Sequence, residues 1–209
     1  MDILVIILLF VAFYQTRVMH LKRAVQLMAL QSALLTIFCL SIAFANTNNE
    51  HSYIASFLTF LVKVLLIPAS LLHITSRLKN EYELATDKKV HYSSIACAIF
   101  VVLSYNIVDH LLPLSEARDI IASSLVLIFT GLIIIIMRSQ AIMQIIGLIT
   151  MENGIYLLGM SMTAGLPLII ELGIFLDVLI AVVVLVILTH RLRLSFKTTD
   201  TDVLRKLRG

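Results

Sequence analysis

The sequence predicts an all-α integral membrane protein with seven transmembrane helices. Hydrophobic residues make up 60% of the 209 residues and charged residues only 14%, whereas soluble domains carry about 25% charged residues. The hydrophobic residues form long runs that are apolar all round, unlike the short alternating segments of a membrane barrel. The lysines and arginines are concentrated in alternate predicted loops, as expected for a multi-pass membrane protein.

Seven apolar runs account for the predicted helices, because a helix needs about 20 apolar residues to cross a bilayer. The first run, from Asp2 to Tyr14, is short but lacks the basic region and cleavage site of a signal peptide, so we expect it to be retained. The later runs cover residues 24–45, 53–76, 93–108, 120–137, 141–164 and 166–189. In the third of the seven runs, residues 53–76, Pro68 is expected to bend the helix and free a backbone carbonyl near Lys63.

The distribution of the 16 lysines and arginines predicts the orientation. Cytoplasmic loops of membrane proteins carry an excess of these residues. Fourteen of the 16 lie in the loops after helices one, three and five and in the C-terminal tail, while Arg118 lies in an intervening loop and Lys63 within a helix. The N-terminus is therefore predicted outside and the C-terminus in the cytoplasm.

Four ionisable residues fall inside the predicted helices. Lys63, Glu152 and Asp177 lie near mid-helix, and Glu171 lies near the outer end of the seventh helix. A charge at the centre of a membrane helix costs about 2.5–3.5 kcal/mol on insertion scales, so we expect these side chains to face protein or water. Such groups are often functional, and proton relay is one chemistry open to them. The alternative is that they only hold neighbouring helices together.

The sequence shows no motif of soluble-type catalysis, cofactor binding or metal binding. The two cysteines, Cys39 and Cys97, lie in different helices without metal-ligand spacing, and both are expected to be small buried hydrophobic residues. There is no glycine-rich phosphate loop. The basic residues are dispersed over short loops without interleaved aromatic residues, which argues against nucleic-acid binding.

A weak internal repeat suggests that helices one to three and five to seven are duplicated units. An offset of 114 places Lys63 on Asp177, and an offset of 121 places the pair Gln31 and Ser32 on Glu152 and Asn153. The single transmembrane domain would then comprise a first unit over residues 1–78, a linking region over 79–118, a second unit over 119–192 and a cytoplasmic tail over 193–209. The carboxylates Glu152 and Asp177 of the second unit would then correspond to Gln31 and Lys63 of the first.

Four stretches together resemble component E of hydrogenase-4 type membrane complexes. They are residues 60–68 (FLVKVLLIP), 137–159 (MRSQAIMQIIGLITMENGIYLLG), 171–186 (ELGIFLDVLIAVVVLV) and the tail ending in LRKLRG. The last three helices also resemble the K-type subunit of complex I and the C-type subunit of multisubunit cation/proton antiporters. In the K-type pattern a glutamate directly follows a Gly-Leu pair, where this chain has Ile149; Glu152 comes three residues later, about one helical turn away.

The resemblance implies a membrane-arm subunit of a complex I-like nickel–iron hydrogenase of the formate hydrogenlyase type, without a redox centre of its own. The NiFe centre and Fe–S clusters would lie in partner subunits. Expected partners are antiporter-like and quinone-site-like membrane subunits, soluble hydrogenase subunits and the lipid bilayer. Glu152, Asp177 and Lys63 would relay protons or sodium ions, with Glu171, Gln31 and Asn153 as accessory groups. The alternatives are a subunit of a cation/proton antiporter or related complex, and a purely structural subunit.

Overall fold

The computed structural model describes residues 2–45, 57, 60–76, 87–113, 115, 117–163, 179 and 182. This part of the chain is built from helices. They are α1 (Asp2–Gln15), α2 (Leu21–Ala45), α3 (a π-helical segment, Phe60–Leu66, that continues as an α-helical segment, Ile67–Ser76), α4 (Asp87–Leu111), α5 (Arg118–Met137) and α6 (Ala141–Thr163). The prediction of an all-helical fold is confirmed. The predicted seventh helix, with Glu171 and Asp177, lies outside the described residues, and the orientation stays a prediction.

Four of these helices are long enough and apolar enough to cross a membrane. Stretches of 20 to 23 residues in α2, α4, α5 and α6 meet both conditions, whereas α1 and α3 are shorter apolar helices. Large apolar side chains also cover the outside of the bundle; Phe10, Val102 and Ile136 are 68–69% exposed. Exposed apolar surface on this scale is typical of a protein surrounded by lipid or by other membrane subunits.

Helix α6 lies at the centre of the bundle and packs against α5 and α2. It is the most buried of the four long apolar helices, whereas α4 is the most exposed and packs mainly on α5. One apolar cluster joins α6 to α2 and α3, and a second joins it to α1, α2 and α5. Polar residues on the faces of α6 that meet these helices are therefore buried, and Glu152 is one of them.

Glycines allow α5 and α6 to approach closely. A Cβ atom added at Gly154 would lie 2.7 Å from the carbonyl oxygen of Ser124 and 2.8 Å from the backbone nitrogen of Ile128, and one at Gly147 would lie 2.8 Å from the Gly131 oxygen. Close backbone contact through small residues is a usual means of helix association in membranes. Gly147 and Gly154 are seven residues apart and so lie on one face of α6.

In α3, the segment Phe60–Leu66 is π-helical and is followed by an α-helical segment that contains Pro68. The bend predicted at Pro68 stays a prediction, while the described structure shows a change of helix type between Leu66 and Ile67. Proline lacks the N–H group that would bond the carbonyl one turn earlier, and its ring crowds that carbonyl, so the preceding turn cannot continue as a regular α-helix. Short π-helical segments occur frequently at functional sites, and this one carries Lys63.

The loops before α2 and α6 differ in how they place their arginines. Arg138 follows α5 in an extended conformation, with ψ at 137°, and the sequence predicted it as a loop cation. It is instead 2% exposed, and its Nη2 atom donates to the backbone oxygen of Thr16. A cation near the C-terminal ends of α1 and α5 complements both helix dipoles. Arg17, which the repeat aligns with Arg138, is exposed.

Candidate functional site

The site consists of an ion pair inside the helix bundle. Lys63 lies in the π-helical segment of α3 and Glu152 lies near the middle of α6; Nζ of Lys63 contacts Oε2 of Glu152. The two residues are 1% and 3% exposed. The prediction that both side chains face protein and not lipid is confirmed. Because α3 and α6 are far apart in the sequence, only the tertiary fold brings these opposite charges together.

Two further residues of α6 lie next to the ammonium group. Nζ of Lys63 donates to Oδ1 of Asn153 over 3.2 Å and lies 5.3 Å from the centre of the Tyr156 ring. An aromatic face at this distance attracts a cation through its quadrupole. Glu152, Asn153 and Tyr156 lie within about one turn of α6, so a single helix face surrounds Lys63 with a carboxylate, an amide oxygen and an aromatic ring.

A row of buried polar side chains connects this pair to α2 and α1. Nδ2 of Asn153 lies 3.4 Å from Oε1 of Gln31 and 3.4 Å from Oγ of Ser32. The Thr150 hydroxyl lies 3.3 Å from Oε1 of Gln31 and 3.4 Å from Oε1 of Gln15. All five residues are fully buried. A continuous polar row therefore runs across four helices of an otherwise apolar bundle.

Several atoms of the row have no hydrogen-bond partner among the described residues. They are Nε2 of Gln15, Nε2 of Gln31 and Oε1 of Glu152, all with almost no accessible surface. Buried polar groups in proteins are satisfied with few exceptions, and ordered water is the usual partner when protein atoms are lacking. The row thus has the donors and acceptors that a chain of water molecules would bind.

The structure brings four of the six predicted site residues together. Lys63, Glu152, Gln31 and Asn153 form one connected cluster, while Glu171 and Asp177 lie outside the described residues. The proposed repeat aligns the pair Gln31 and Ser32 with the pair Glu152 and Asn153. Asn153 contacts both Gln31 and Ser32, so the two aligned pairs lie at the same level of the bundle. Whether the units are duplicated stays a prediction.

Sequence reasoning missed Gln15 and Thr150. Thr150 lies three residues before Asn153 and therefore on the same face of α6, so helical spacing carried a signal for it. Gln15 is the last residue of α1 and resembles the start of a polar loop. Its burial depends on the loop at residues 16–20, where the Thr16 carbonyl accepts a hydrogen bond from Arg138, and such a contact is not visible in the sequence.

Replacing Thr150 by valine should destabilise the chain by about 1–2 kcal/mol, because its hydroxyl, besides its 2.9 Å bond to the Ile146 carbonyl of its own helix, lies near two buried glutamine oxygens. The free energy of unfolding of the purified chain in mixed micelles measures this effect. The control is Thr36→Val, since that hydroxyl donates only to the Ser32 carbonyl of its own helix and should change stability by less than about 0.5 kcal/mol. Equal effects of the two substitutions would contradict a connected polar row.

Comparison with known proteins identifies distant relatives. Hydrogenase-4 component E of Escherichia coli K12 is 28% identical over 188 residues, which cover 89% of this chain and 84% of that protein, and the Shigella flexneri protein gives the same values. The uncharacterized protein Rv0085 of Mycobacterium tuberculosis is 41% identical over 88 residues, 42% of this chain, and the match spans only 40% of its own length. No family model and no solved structure matches. Over most of its length the chain is therefore a distant homologue of hydrogenase-4 component E, as the sequence resemblance predicted.

Proposed function

We propose that this chain is a membrane-arm subunit of a complex I-like nickel–iron hydrogenase, of the hydrogenase-4 or formate hydrogenlyase type, and that it takes part in proton translocation. The homology to hydrogenase-4 component E supports the assignment to a hydrogenase complex. The observation that carries the proposed role is the buried ion pair of Lys63 and Glu152 at one end of a row of buried polar side chains. The NiFe centre and iron–sulfur clusters would belong to partner subunits.

The ion pair can bind and release a proton because its two charges depend on each other. At an effective dielectric constant of 20, opposite charges 4 Å apart attract by about 4 kcal/mol, several times thermal energy. Contact with the ammonium of Lys63 offsets the cost of burying the carboxylate of Glu152. Moving that ammonium away would leave the carboxylate buried without an opposite charge among the described residues.

The polar row offers a route for that proton. The hydroxyl of Thr150 can both donate and accept, and the amides of Gln15 and Gln31 can hold water molecules through their Nε2 groups. Asn153, which contacts Lys63 and Gln31, connects the route to the ion pair. Asp177 and Glu171 would continue the relay in the seventh predicted helix. Antiporter-like and quinone-site-like membrane subunits would adjoin this chain in the inner membrane.

Replacing Glu152 by glutamine tests the proposal, because an amide cannot bind and release the proton. In inverted membrane vesicles that contain the complex, hydrogenase-driven acidification, followed with a pH-sensitive dye, should fall to the level of vesicles that lack this chain. Hydrogenase activity with an artificial electron acceptor should persist. The control is Asp109→Asn, which removes an exposed carboxylate that pairs with Arg118.

The same experiment separates the relay from a purely structural role. If Glu152→Gln leaves the unpaired Lys63 ammonium too unfavourable for assembly, the double variant Lys63→Gln/Glu152→Gln keeps the site neutral. An assembled complex that still acidifies the vesicles with either variant would contradict the proposal and would favour a subunit whose buried charges only hold helices together. Co-purification with hydrogenase subunits tests the assignment to this type of complex.

A further inference from the structure

A basic cavity lies where α1 ends and α2 begins. It has a volume of about 260 Å³ and is lined by Tyr14, Arg17, Val18, Met19, His20 and Arg23. The lining contains two guanidinium groups and an imidazole but no carboxylate. Arginine binds phosphate well because its planar fork of N–H groups matches two phosphate oxygens at once. The cavity is distinct from the buried polar row, since none of its lining residues belongs to that row.

The two arginines remain available to a ligand. Arg17 and Arg23 are both exposed, and within the part of the chain that the structure describes neither guanidinium pairs with a carboxylate. By contrast, the third arginine near this end of the bundle, Arg138, is buried and bonded to a backbone carbonyl. The exposed pair therefore presents two positive charges that the described fold does not neutralise.

An apolar stripe on α1 leads to this cavity. Ile3, Ile6, Phe10 and Tyr14 follow one another at spacings of three or four residues and are 74%, 64%, 69% and 48% exposed, so they form one outward face of the helix. Tyr14 belongs to both the stripe and the cavity lining. An apolar strip that ends in a basic cavity complements a molecule with hydrocarbon chains and an anionic head.

The two arginines lie close to the apolar stripe. Arg17 follows Tyr14, the last residue of the stripe, by three residues, and Arg23 lies in the first turn of α2. Both can therefore meet the headgroup of a lipid whose acyl chains lie along the stripe.

We propose that this cavity binds the phosphate of an anionic phospholipid, whose acyl chains lie along the α1 stripe. Arg17 and Arg23 would hold the phosphate, and Phe10 and Tyr14 would contact the chains. This site goes beyond the proposed proton relay and does not depend on it. It would fix α1, which carries Gln15 at its end, to the surrounding lipid.

Lipid binding to the full-length chain tests the site. The chain is purified in detergent, and retention of phosphatidylglycerol and phosphatidylcholine with the same acyl chains is compared by native mass spectrometry. Phosphatidylglycerol should bind more tightly, and Arg17→Gln or Arg23→Gln should each weaken it about fivefold, since a basic residue near a lipid surface contributes about 1 kcal/mol. Arg118→Gln is the matched control, because it removes the same charge from another part of the surface, where Arg118 pairs with Asp109.

Competition separates a lipid from free phosphate. Excess glycerol 3-phosphate should not displace phosphatidylglycerol, since it lacks the acyl chains that would contact the stripe. Phe10→Ser should weaken the binding of phosphatidylglycerol, although both arginines are kept. Complete displacement by glycerol 3-phosphate would overturn the lipid proposal in favour of a simple phosphate site. Equal weakening by Arg17→Gln and Arg118→Gln would also overturn it, because it would show only general attraction to the charged surface.

A photo-crosslinker at position 14 tests occupancy in intact membranes with the whole complex present. Tyr14→p-benzoylphenylalanine keeps an aromatic ring where the stripe meets the cavity. Illumination should give a chain whose mass is increased by that of one phospholipid. A crosslink to another subunit in place of the lipid would overturn the proposal and identify the surface as a protein interface.

Discussion

Replacing Lys63 by methionine should reduce the free energy of unfolding by about 3–5 kcal/mol, the usual cost of removing one partner of a buried ion pair. Glu152 would be left 3% exposed, with no opposite charge among the described residues. Oε1 of Glu152 already has no hydrogen-bond partner there, so the carboxylate has little other stabilisation to rely on. Denaturation of the purified chain in mixed micelles and its yield in membranes measure the effect.

The double variant Lys63→Met/Glu152→Leu distinguishes a lost attraction from an uncompensated charge. It should recover most of the lost stability, since a buried pair replaced by apolar residues of similar volume is often neutral or stabilising. It should still fail to support proton translocation, because no titratable group remains at the site. The control is Arg118→Met, which breaks ion pairs whose side chains are 41–60% exposed and should cost less than about 1 kcal/mol. A double variant as unstable as Lys63→Met would contradict this account.

Replacing Gly154 by alanine should destabilise the bundle, by about 1–3 kcal/mol, although alanine favours a helix over glycine. The added methyl group would meet the backbone of α5 at Ser124 and Ile128, and backbone atoms cannot move aside as a flexible side chain would. Helix α6 would have to shift away from α5. Because Glu152 is two residues away, we expect proton translocation to fall together with stability.

The sign of the change in the free energy of unfolding distinguishes helix packing from helix propensity. Intrinsic helix propensity alone would stabilise the Gly154→Ala variant by about 1 kcal/mol, so an increase in the free energy of unfolding would show that α5 and α6 are farther apart than described. The neighbouring variant Ile155→Ala is the control, since that side chain is 42% exposed and does not fill the helix interface. Its effect should be clearly smaller than that of Gly154→Ala.

The sequence was sufficient to predict the six helices of the described part of the chain. Long apolar runs have few alternatives in lipid, because every backbone polar group must be bonded within the segment. The ends were less predictable: α4 runs from Asp87 to Leu111, whereas only residues 93–108 were predicted. Most of the additional residues are polar, and a helix can continue beyond an apolar run without a hydropathy signal.

The residue types of the candidate site were predictable, but their pairing was not. A lysine and a glutamate within apolar runs must face protein or water, and both are buried. The repeat that aligns Lys63 with Asp177 compares equivalent positions and predicts no contact, whereas the structure places Lys63 against Glu152. The choice of partner depends on how α3 packs against α2 and α6, and apolar faces of similar composition do not specify that packing.

The π-helical segment makes the position of the Lys63 side chain sensitive to a small local rearrangement. A π-turn accommodates more residues than an α-turn, and Pro68 lies two residues after the end of this segment. Conversion of the segment to α-helix would rotate the residues before Pro68 about the helix axis by up to about 100°, which is the angle between successive α-helical residues. Such a rotation would move the ammonium of Lys63 away from the carboxylate of Glu152. A rearrangement confined to α3 would therefore change the electrostatic environment of Glu152 while the other helices keep their positions.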